Sequence, residues 1–193
     1  MNNSFYTREE LCQIGFKSVG EDVLISRKTS LYGVTDMVIG NHVRIDDFCI
    51  LSGSITLQDY IHIAAFCALF GGKEGIILEN YCGLSSRVGI YAESDDYSGI
   101  TMTNRTIPDE FRRVTGGKVI LQKHVIIGTG STVMPDLTIG VGSSVGSMSL
   151  VNRSLESWGI YAGIPCRKVR ETSKKLLIAE RNMEAARSVT KCK

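Results

Sequence analysis

One histidine stands in a stretch of small and aliphatic residues, YIHIAAFCALFGG, which spans residues 60–72. Imidazole is the side chain that changes charge near neutral pH, so His62 is a candidate general base. It immediately precedes Ile63, and neighbouring residues of a strand point to opposite faces, so a buried Ile63 turns His62 outward. Packing of His62 at a contact between subunits is the competing interpretation, and the sequence favours neither.

Two adjacent carboxylates, Asp95 and Asp96 in the stretch IYAESDDYSG, are the second candidates. Repulsion between neighbouring carboxylates makes one of them hold a proton more tightly, which suits a catalytic base. A carboxylate also suits the binding of a substrate ammonium group, and Tyr97 suits stacking on a sugar or a nucleotide base. We therefore name Asp95 as the second catalytic candidate and Asp96 and Tyr97 as substrate-binding candidates. A solvated loop is the alternative.

A repeat of six residues has to position these side chains. Aliphatic residues recur at every sixth position in two unbroken runs, Ile39, Ile45, Leu51, Leu57, Ile63 and Leu69, then Leu121, Ile127, Val133, Ile139, Val145 and Val151. Such a unit is too short for two helices and holds one short strand and a turn. Three units close a triangular coil, and stacked coils bury a continuous aliphatic column. The period therefore predicts an all-β solenoid of about six coils.

The repeat and its interruptions predict the organisation of the chain. Thr7 and Glu10 form a capping box and Gly15 is a helix stop, so a short helix precedes the repeat. The apolar face predicted for the C-terminal helix consists of Leu176, Ala179, Met183 and Ala186. The predicted regions are an N-terminal helical cap at 1–17, a β-helix at 18–170 with a loop insertion at 96–120, and a C-terminal helix or tail at 171–193. We expect the insertion to contribute to the site, because solenoid insertions are loops that commonly bind ligands.

The other histidines, His42 and His124, each take the fourth position of a six-residue unit, which is the turn. We therefore predict that both are exposed. His62 takes a different repeat position, so the three imidazoles do not converge as a zinc site requires. The sequence predicts an enzyme that needs no metal.

Composition and charge exclude some classes of partner. The net charge of +2 is too small to indicate nucleic acid binding. The charge is uneven, because residues 167–193 carry nine Lys/Arg and three Glu, a net of +6, which leaves −4 for the rest. This basic end is a solvated tail or a local anion site. Since the first twenty residues lack the apolar core of a signal peptide and no apolar run reaches membrane-spanning length, we expect a cytoplasmic protein without a membrane partner.

The sixfold pattern, starts such as Ile139-Gly140, the long insertion and the segment GIYAGIPCRKVRE resemble the hexapeptide-repeat acyltransferases. The chain is similar to the sugar branch, which includes galactoside and maltose acetyltransferases and enzymes that acetylate surface-polysaccharide sugars. The resemblance implies a left-handed parallel β-helix. It also implies acetyl-CoA as co-substrate and a homotrimer with sites between its subunits.

The resemblance also implies a set of coenzyme contacts. The matching positions in this sequence are Thr129, Ser147, Asn152, Arg153, Arg167 and Arg170. Thr129 and Ser147 are expected to act mainly through backbone groups. Guanidinium groups suit phosphate because they combine positive charge with paired donors. An ordinary basic tail is the competing interpretation for Arg167 and Arg170.

The histidine that serves as the base in related sugar acetyltransferases is missing. It follows the fourth coil in those enzymes, and Asp95 occupies its place here. His62 is the candidate replacement. It follows Arg44 by one coil of three six-residue units, so both side chains are expected on the same face, where Arg44 would bind substrate.

We predict an acetyl-CoA-dependent acetyltransferase that acts on a sugar. An amine acceptor is nucleophilic once deprotonated. Acylation of an amine therefore tolerates loss of the family histidine better than acylation of a hydroxyl does. This favours N-acetylation of a nucleotide-linked amino sugar for O-antigen or another surface polysaccharide. Sugar O-acetylation is the alternative. An inactive trimeric scaffold is the alternative from another class; the missing histidine favours it, and the retained Arg167, Arg170 and GIYAGIPC oppose it.

Overall fold

A computed structural model describes the backbone of residues 4–191 and the side chains of residues 4–187. The helices are α1 (Arg8–Ile14) and α2 (Leu176–Lys191), with short 3-10 helices at Val34–Asp36 and Asp109–Phe111. The strands of the N-terminal half are β1 (Ser18–Val19), β2 (Leu24–Ile25), β3 (Ser30–Tyr32), β4 (Met37–Ile39), β5 (Arg44–Ile45), β6 (Ile50–Leu57), β7 (His62–Ile63), β8 (Ala68–Leu78), β9 (Gly83–Leu84) and β10 (Gly89–Tyr91). Those of the C-terminal half are β11 (Glu93–Asp95), β12 (Val114–Gly116), β13 (Val119–Leu121), β14 (Ile126–Ile127), β15 (Thr132–Val133), β16 (Leu137–Ile139), β17 (Ser144–Val145), β18 (Leu150–Val151), β19 (Gly159–Gly163) and β20 (Cys166–Glu171).

The strands wind into a left-handed parallel β-helix with three faces, which is the predicted fold. One face is an eight-stranded sheet in the order β2-β5-β7-β9-β14-β17-β19-β20, and its outer surface is called the β7 face below. Strands β2 to β19 of this sheet are parallel and form seven rungs, where about six coils were predicted, and β20 returns antiparallel to β19. A ten-stranded sheet supplies the other two faces, because β6 and β8 are long enough to turn the corner between them.

The predicted aliphatic column fills the interior. Each residue of the two sixfold runs is at most 3% exposed. Burial of one such side chain contributes about 1.5–3 kcal/mol before chain entropy is subtracted, so the stacked coils stabilise one another without a conventional two-layer core. Adjacent coils also approach closely at the corners. A Cβ at Gly128 would lie 2.5 Å from the backbone nitrogen of Ser147 on the next coil, so this corner requires glycine.

The insertion leaves the solenoid after β10 and returns at β13. Its stem is the antiparallel pair β11–β12, in which Asp95 lies opposite Val114. Glu93 fixes the base of the stem, since its carboxylate accepts a hydrogen bond of 2.7 Å from the backbone N–H of Lys73. The stem holds the carboxylates that begin the loop in a defined position beside β10.

The helices at the two ends pack differently from each other. Thr7 caps α1 reciprocally with Glu10, and Gly15 ends it in a left-handed conformation at φ 90°, as predicted. Among the α2 side chains that the structure describes, residues 176–187, the half-buried ones are Leu176, Leu177, Glu180 and Met183. The prediction of Ala179 and Ala186 as part of this face was wrong, because both are exposed and the charged Glu180 is turned toward the solenoid in their place. Among the residues that the structure describes, no helix combines the length and the apolar character needed to cross a membrane.

Four stacked rings form a ladder along one corner of the solenoid. The ring centroids are 4.5 Å apart for His42 and Tyr60, 5.1 Å for Tyr60 and Tyr81, and 5.0 Å for Tyr81 and His124. We predicted both histidines to be exposed, and for His124 this was wrong, since its side chain is 11% exposed. His42 is also partly covered, at 30%. Helix α2 lies over the ladder, and its Glu180 contacts His124 Nε2 at 2.9 Å.

We expect acid to release α2 from this ladder. Burial raises the pKa of the Glu180 carboxyl, but bonds from Lys123 and His124 outweigh burial and hold the pKa below its ordinary value. The stabilisation is therefore complete above about pH 4.5, the usual range for a glutamate, and is lost as the pH falls through the lowered value. Replacing Glu180 with alanine leaves Lys123 and His124 without their shared acceptor and should weaken docking of α2 by about 1–2 kcal/mol.

Hydrogen exchange of the α2 amides at several pH values measures this effect. Glu180→Ala should exchange faster than the wild type at pH 7 and lose the acid dependence. Glu156→Gln is the matched control, because that carboxylate is exposed and makes one ion pair at 3.6 Å. Equal exchange in the wild type and Glu180→Ala would contradict the prediction.

Candidate active site

His62 projects from the β7 face. It pairs in register with Arg44 on β5 and with Gly83 on β9. Its side chain is 54% exposed, whereas that of Ile63 is fully buried, so the alternation of the strand turns the imidazole outward as expected. Arg44 lies beside it on the preceding coil, which is the arrangement inferred from their spacing.

Asp46 joins these two side chains, although the sequence indicated an exposed turn residue or a contact to sugar hydroxyls. Its Oδ2 lies 2.9 Å from Nε2 of His62, and its Oδ1 accepts a hydrogen bond of 2.8 Å from Nε of Arg44. Partial burial raises the pKa of the Asp46 carboxyl, but the bonds from His62 and Arg44 outweigh it and hold the pKa below its ordinary value. A signal existed in the sequence, because Arg44 and Asp46 are two residues apart and side chains at that spacing share one face of a strand.

The carboxylates of the insertion line a cavity of about 590 Å³. Asp95, Asp96 and Tyr97 all border it, so the structure brings these three candidates together. The two oxygens of Asp96 are occupied within the loop, where they accept hydrogen bonds from the Ser98 N–H at 2.8 Å and the Thr101 hydroxyl at 3.1 Å. These bonds lower the pKa of Asp96, which is therefore ionised at neutral pH and shapes the loop. Tyr97 is 91% exposed at the cavity rim.

One chain does not assemble both catalytic candidates in the same cavity. His62 stands on the β7 face, whereas Asp95 lies on the insertion that leaves β10 of the other sheet. The residues that line the cavity beside Asp95 do not include His62. Chemistry that uses both side chains would therefore need surfaces from two copies of the chain.

The coenzyme candidates lie on three elements near the C-terminal end of the solenoid. Thr129 and Ser147 occupy the same corner on consecutive coils, and the backbone N–H of Met148 donates to the Thr129 carbonyl at 2.8 Å. Asn152 and Arg153 follow β18 and begin the next corner. The remaining two candidates, Arg167 and Arg170, belong to β20 and pair with β19.

Two of the arginines share one neighbourhood around Cys166. Burial raises the pKa of the Cys166 thiol, and the positive charges of Arg153 and Arg167 oppose that shift. Within residues 4–187, neither of these arginines nor Arg170 forms an ion pair with a carboxylate, whereas Lys168 pairs with Glu171 at 2.7 Å. Nη1 of Arg167 donates to the Cys166 carbonyl at 3.0 Å, but no carboxylate among these residues competes with an anionic ligand for the three guanidinium groups.

Comparison with known proteins identifies the family. A dTDP-4-amino-4,6-dideoxy-D-glucose acyltransferase from Escherichia coli is 45% identical over 174 residues, which cover 89% of this chain and 90% of that protein. The chain belongs to the hexapeptide-repeat acyltransferases. It is an enzyme of that family's sugar branch, so the predicted resemblance and the predicted enzyme class are both confirmed. No model of a protein family matches the chain.

Solved structures with the same architecture include those of AntD, an N-acyltransferase from Bacillus cereus. A variant of AntD in complex with dTDP-4-amino-4,6-dideoxyglucose and coenzyme A is 48% identical, covers 96% of this chain and 100% of that chain, and has a TM-score of 0.94. AntD in complex with dTDP and 3-hydroxybutyryl-CoA is 49% identical, covers 96% and 99%, and also has a TM-score of 0.94. The architecture of this chain is thus shared with an N-acyltransferase that has been solved with a dTDP-linked amino sugar and coenzyme A bound.

Proposed function

We propose that this chain transfers an acyl group from a coenzyme A thioester to the amino group of a dTDP-linked 4-amino-4,6-dideoxy sugar for O-antigen or another surface polysaccharide. The observation that carries this proposal is the match to AntD with dTDP-4-amino-4,6-dideoxyglucose and coenzyme A bound, at 48% identity and a TM-score of 0.94. The predicted donor was acetyl-CoA. Because AntD is also known with 3-hydroxybutyryl-CoA, the proposed donors are acetyl-CoA and this longer thioester. We further propose that the reaction takes place in the cytoplasm.

The proposed reaction is attack of the neutral sugar amine on the thioester carbonyl. A base removes a proton from the attacking nitrogen, and the candidates are His62 first and Asp95 second. The tetrahedral intermediate carries an oxyanion, which a backbone N–H near the coenzyme stabilises. Thr129 and Ser147 present such backbone groups at a corner that Gly128 keeps narrow.

The proposed binding contacts divide between the two substrates. Arg44 and Tyr97 contact the nucleotide sugar, and Asp96 contributes through the loop that its hydrogen bonds shape. The coenzyme lies along the C-terminal coils, where the proposed contacts are Thr129, Ser147, Asn152, Arg153, Arg167 and Arg170.

We further propose a homotrimer with its active sites between subunits. Its first support is that one chain leaves His62 and Asp95 on separate surfaces. Its second support is the insertion, on which Ile100, Met102 and Phe111 are all more than half exposed. Apolar side chains grouped on a surface loop indicate that another surface covers them. Sedimentation equilibrium, which gives the mass of the assembly, tests this proposal.

An assay of free thiol release tests the proposed reaction. The purified protein is incubated with dTDP-4-amino-4,6-dideoxyglucose and either acetyl-CoA or 3-hydroxybutyryl-CoA. We expect one thiol for each acylated sugar, and a product that resists hydroxylamine as an amide does. dTDP-6-deoxyglucose, which differs only by a 4-hydroxyl in place of the amine, is the matched control and should release no thiol above the background rate.

Two results would contradict the proposal. Equal release with dTDP-6-deoxyglucose and a hydroxylamine-sensitive product would establish O-acylation instead. Absence of release with every pair of substrates would favour the inactive scaffold.

A further inference from the structure

Arg44, Asp46 and His62 form a hydrogen-bonded group on the β7 face. The proposed function gives no role to the carboxylate of Asp46. We propose that Asp46 is a positioning residue that holds His62 as the Nε2–H tautomer and thereby makes Nδ1 the nitrogen that accepts the proton during acyl transfer. This inference rests on the proposed function and on His62 as its base.

The geometry fixes which imidazole nitrogen carries hydrogen. An ionised carboxylate only accepts hydrogen bonds, so the nitrogen 2.9 Å from Asp46 Oδ2, which is Nε2 of His62, must donate. The low pKa of Asp46 keeps its carboxylate ionised at neutral pH. In a neutral imidazole with a proton on Nε2, the lone pair is on Nδ1.

Arg44 prevents the carboxylate from turning away. Its Nε donates to Asp46 Oδ1 at 2.8 Å, so the two oxygens are tied to two different side chains. The Asp46 side chain is 22% exposed and the His62 side chain 54% exposed, so the anchor is partly enclosed while the imidazole remains open to a ligand. The open imidazole suits a catalytic base, which substrate must reach. The partly shielded carboxylate suits the residue that orients this base.

Space for the reacting group exists next to the imidazole. Gly83 follows His62 in register on β9 and has no side chain. A Cβ built there would meet only Ile126 Cγ1 within 4 Å, at 3.9 Å, so the surface between His62 and Ile126 is recessed. A sugar amine entering this recess would approach the imidazole from the side opposite Arg44.

The proton balance of the step is complete without another reactant. The amine nitrogen forms a bond to the thioester carbon, and Nδ1 of His62 takes a proton from that nitrogen. The carbon–sulfur bond then breaks, and the imidazolium returns its proton from Nδ1 to the leaving sulfur, which departs as the coenzyme thiol. Asp46 stays ionised throughout and stabilises the imidazolium that forms between the two transfers.

Asp46→Asn tests the inference because it replaces a carboxylate, which only accepts hydrogen bonds, with an amide, which can also donate them. The amide of asparagine can donate to Nε2, which favours the Nδ1–H tautomer and removes the accepting lone pair. We expect kcat to fall by about 100-fold with the KM of the sugar within about twofold. Asp47→Asn is the matched control, because the neighbouring carboxylate bonds to Ser26 and Lys28 instead, and its kcat should equal that of the wild type.

A spectroscopic measurement separates tautomer control from a structural effect. Selective ¹⁵N labelling of histidine distinguishes protonated from unprotonated ring nitrogens by chemical shift, and His62→Gln identifies which signals belong to His62. For the neutral imidazole we expect a protonated Nε2 and an unprotonated Nδ1 in the wild type, and the reverse in Asp46→Asn. The wild-type spectrum reports the tautomer of His62 even if the Asp46→Asn protein is unstable.

Different results would contradict the role of Asp46 and the proposed function. A wild-type His62 with its proton on Nδ1, or an Asp46→Asn variant with wild-type kcat, would overturn the role of Asp46 while thiol release by the wild type upheld the function. Absence of thiol release with every pair of substrates would overturn the function, and with it the catalytic purpose assigned to Asp46.

Discussion

Replacing His62 with alanine is expected to lower kcat by about 100-fold or more, because general base catalysis contributes roughly that much to proton transfers. The KM for the nucleotide sugar should stay nearly unchanged, since the base acts in the transition state and contributes little to binding the ground state. The change removes an outward side chain that is 54% exposed, so the fold should be unaffected. Steady-state kinetics of thiol release, with the melting temperature as a check on folding, measure the effect.

Asp95→Ala is the decisive comparison for this prediction. Asp95 borders the cavity of the insertion and is the competing base. If His62→Ala keeps its activity and Asp95→Ala loses it, the two roles are reversed. His42→Gln is the matched histidine control, because His42 belongs to the stacked rings beneath α2 and should leave kcat unchanged. A 100-fold loss in both His62→Ala and Asp95→Ala would support a site built from two copies of the chain.

The fold was predictable because its determinant is local and repeated. Each sixth aliphatic is buried for the same reason, so a few coils reveal the rule for all of them. The same alternation that buries Ile63 turns His62 outward, and this orientation also followed from the sequence. The hand of the coil does not follow from a period, and it came from the resemblance to known acyltransferases.

Contacts between distant segments could not be predicted in the same way. Glu180 reaches His124 across 56 residues and Arg187 reaches His42 across 145, and no repeat relates α2 to the solenoid. Both histidines were correctly placed at turns, but coverage of those turns depends on where the last helix docks. The rule that turn residues are exposed therefore fails where a terminal helix packs over the turns.

The sequence predicted which residues lie near the site better than it predicted the contacts between them. Arg44 and His62 were placed on one face by their spacing, yet the carboxylate that links them was missed, because a hydrogen bond between coils depends on side-chain rotamers. Asp96 was predicted to bind substrate, and its oxygens are directed to Ser98 and Thr101. Residue type and spacing identify which groups lie near a site, but the partners of each group decide which of them stays available.

Removing Arg167 and Arg170 together is expected to raise the KM of the coenzyme A thioester by about 30-fold with little change in kcat. A hydrogen bond to a charged group contributes about 1.5–3 kcal/mol, and solvent exposure of both side chains reduces that figure. Within the described residues these guanidinium groups have no carboxylate partner, so little is lost from the free enzyme when they are replaced. Kinetics with varied thioester concentration measure the change, and its size should shrink as ionic strength rises.

Lys168→Ala separates specific contacts from a general positive field. Lys168 lies between the two arginines on β20 but already pairs with Glu171 at 2.7 Å, so its loss should change the KM by less than about twofold. An acyl-CoA that lacks the 3′-phosphate adds a second test. If the arginines hold that phosphate, the wild type should bind the truncated thioester weakly, and the double variant should not distinguish the two thioesters. A Lys168→Ala effect as large as that of the double variant would contradict direct contact, because only a diffuse basic surface would make the three cations equivalent.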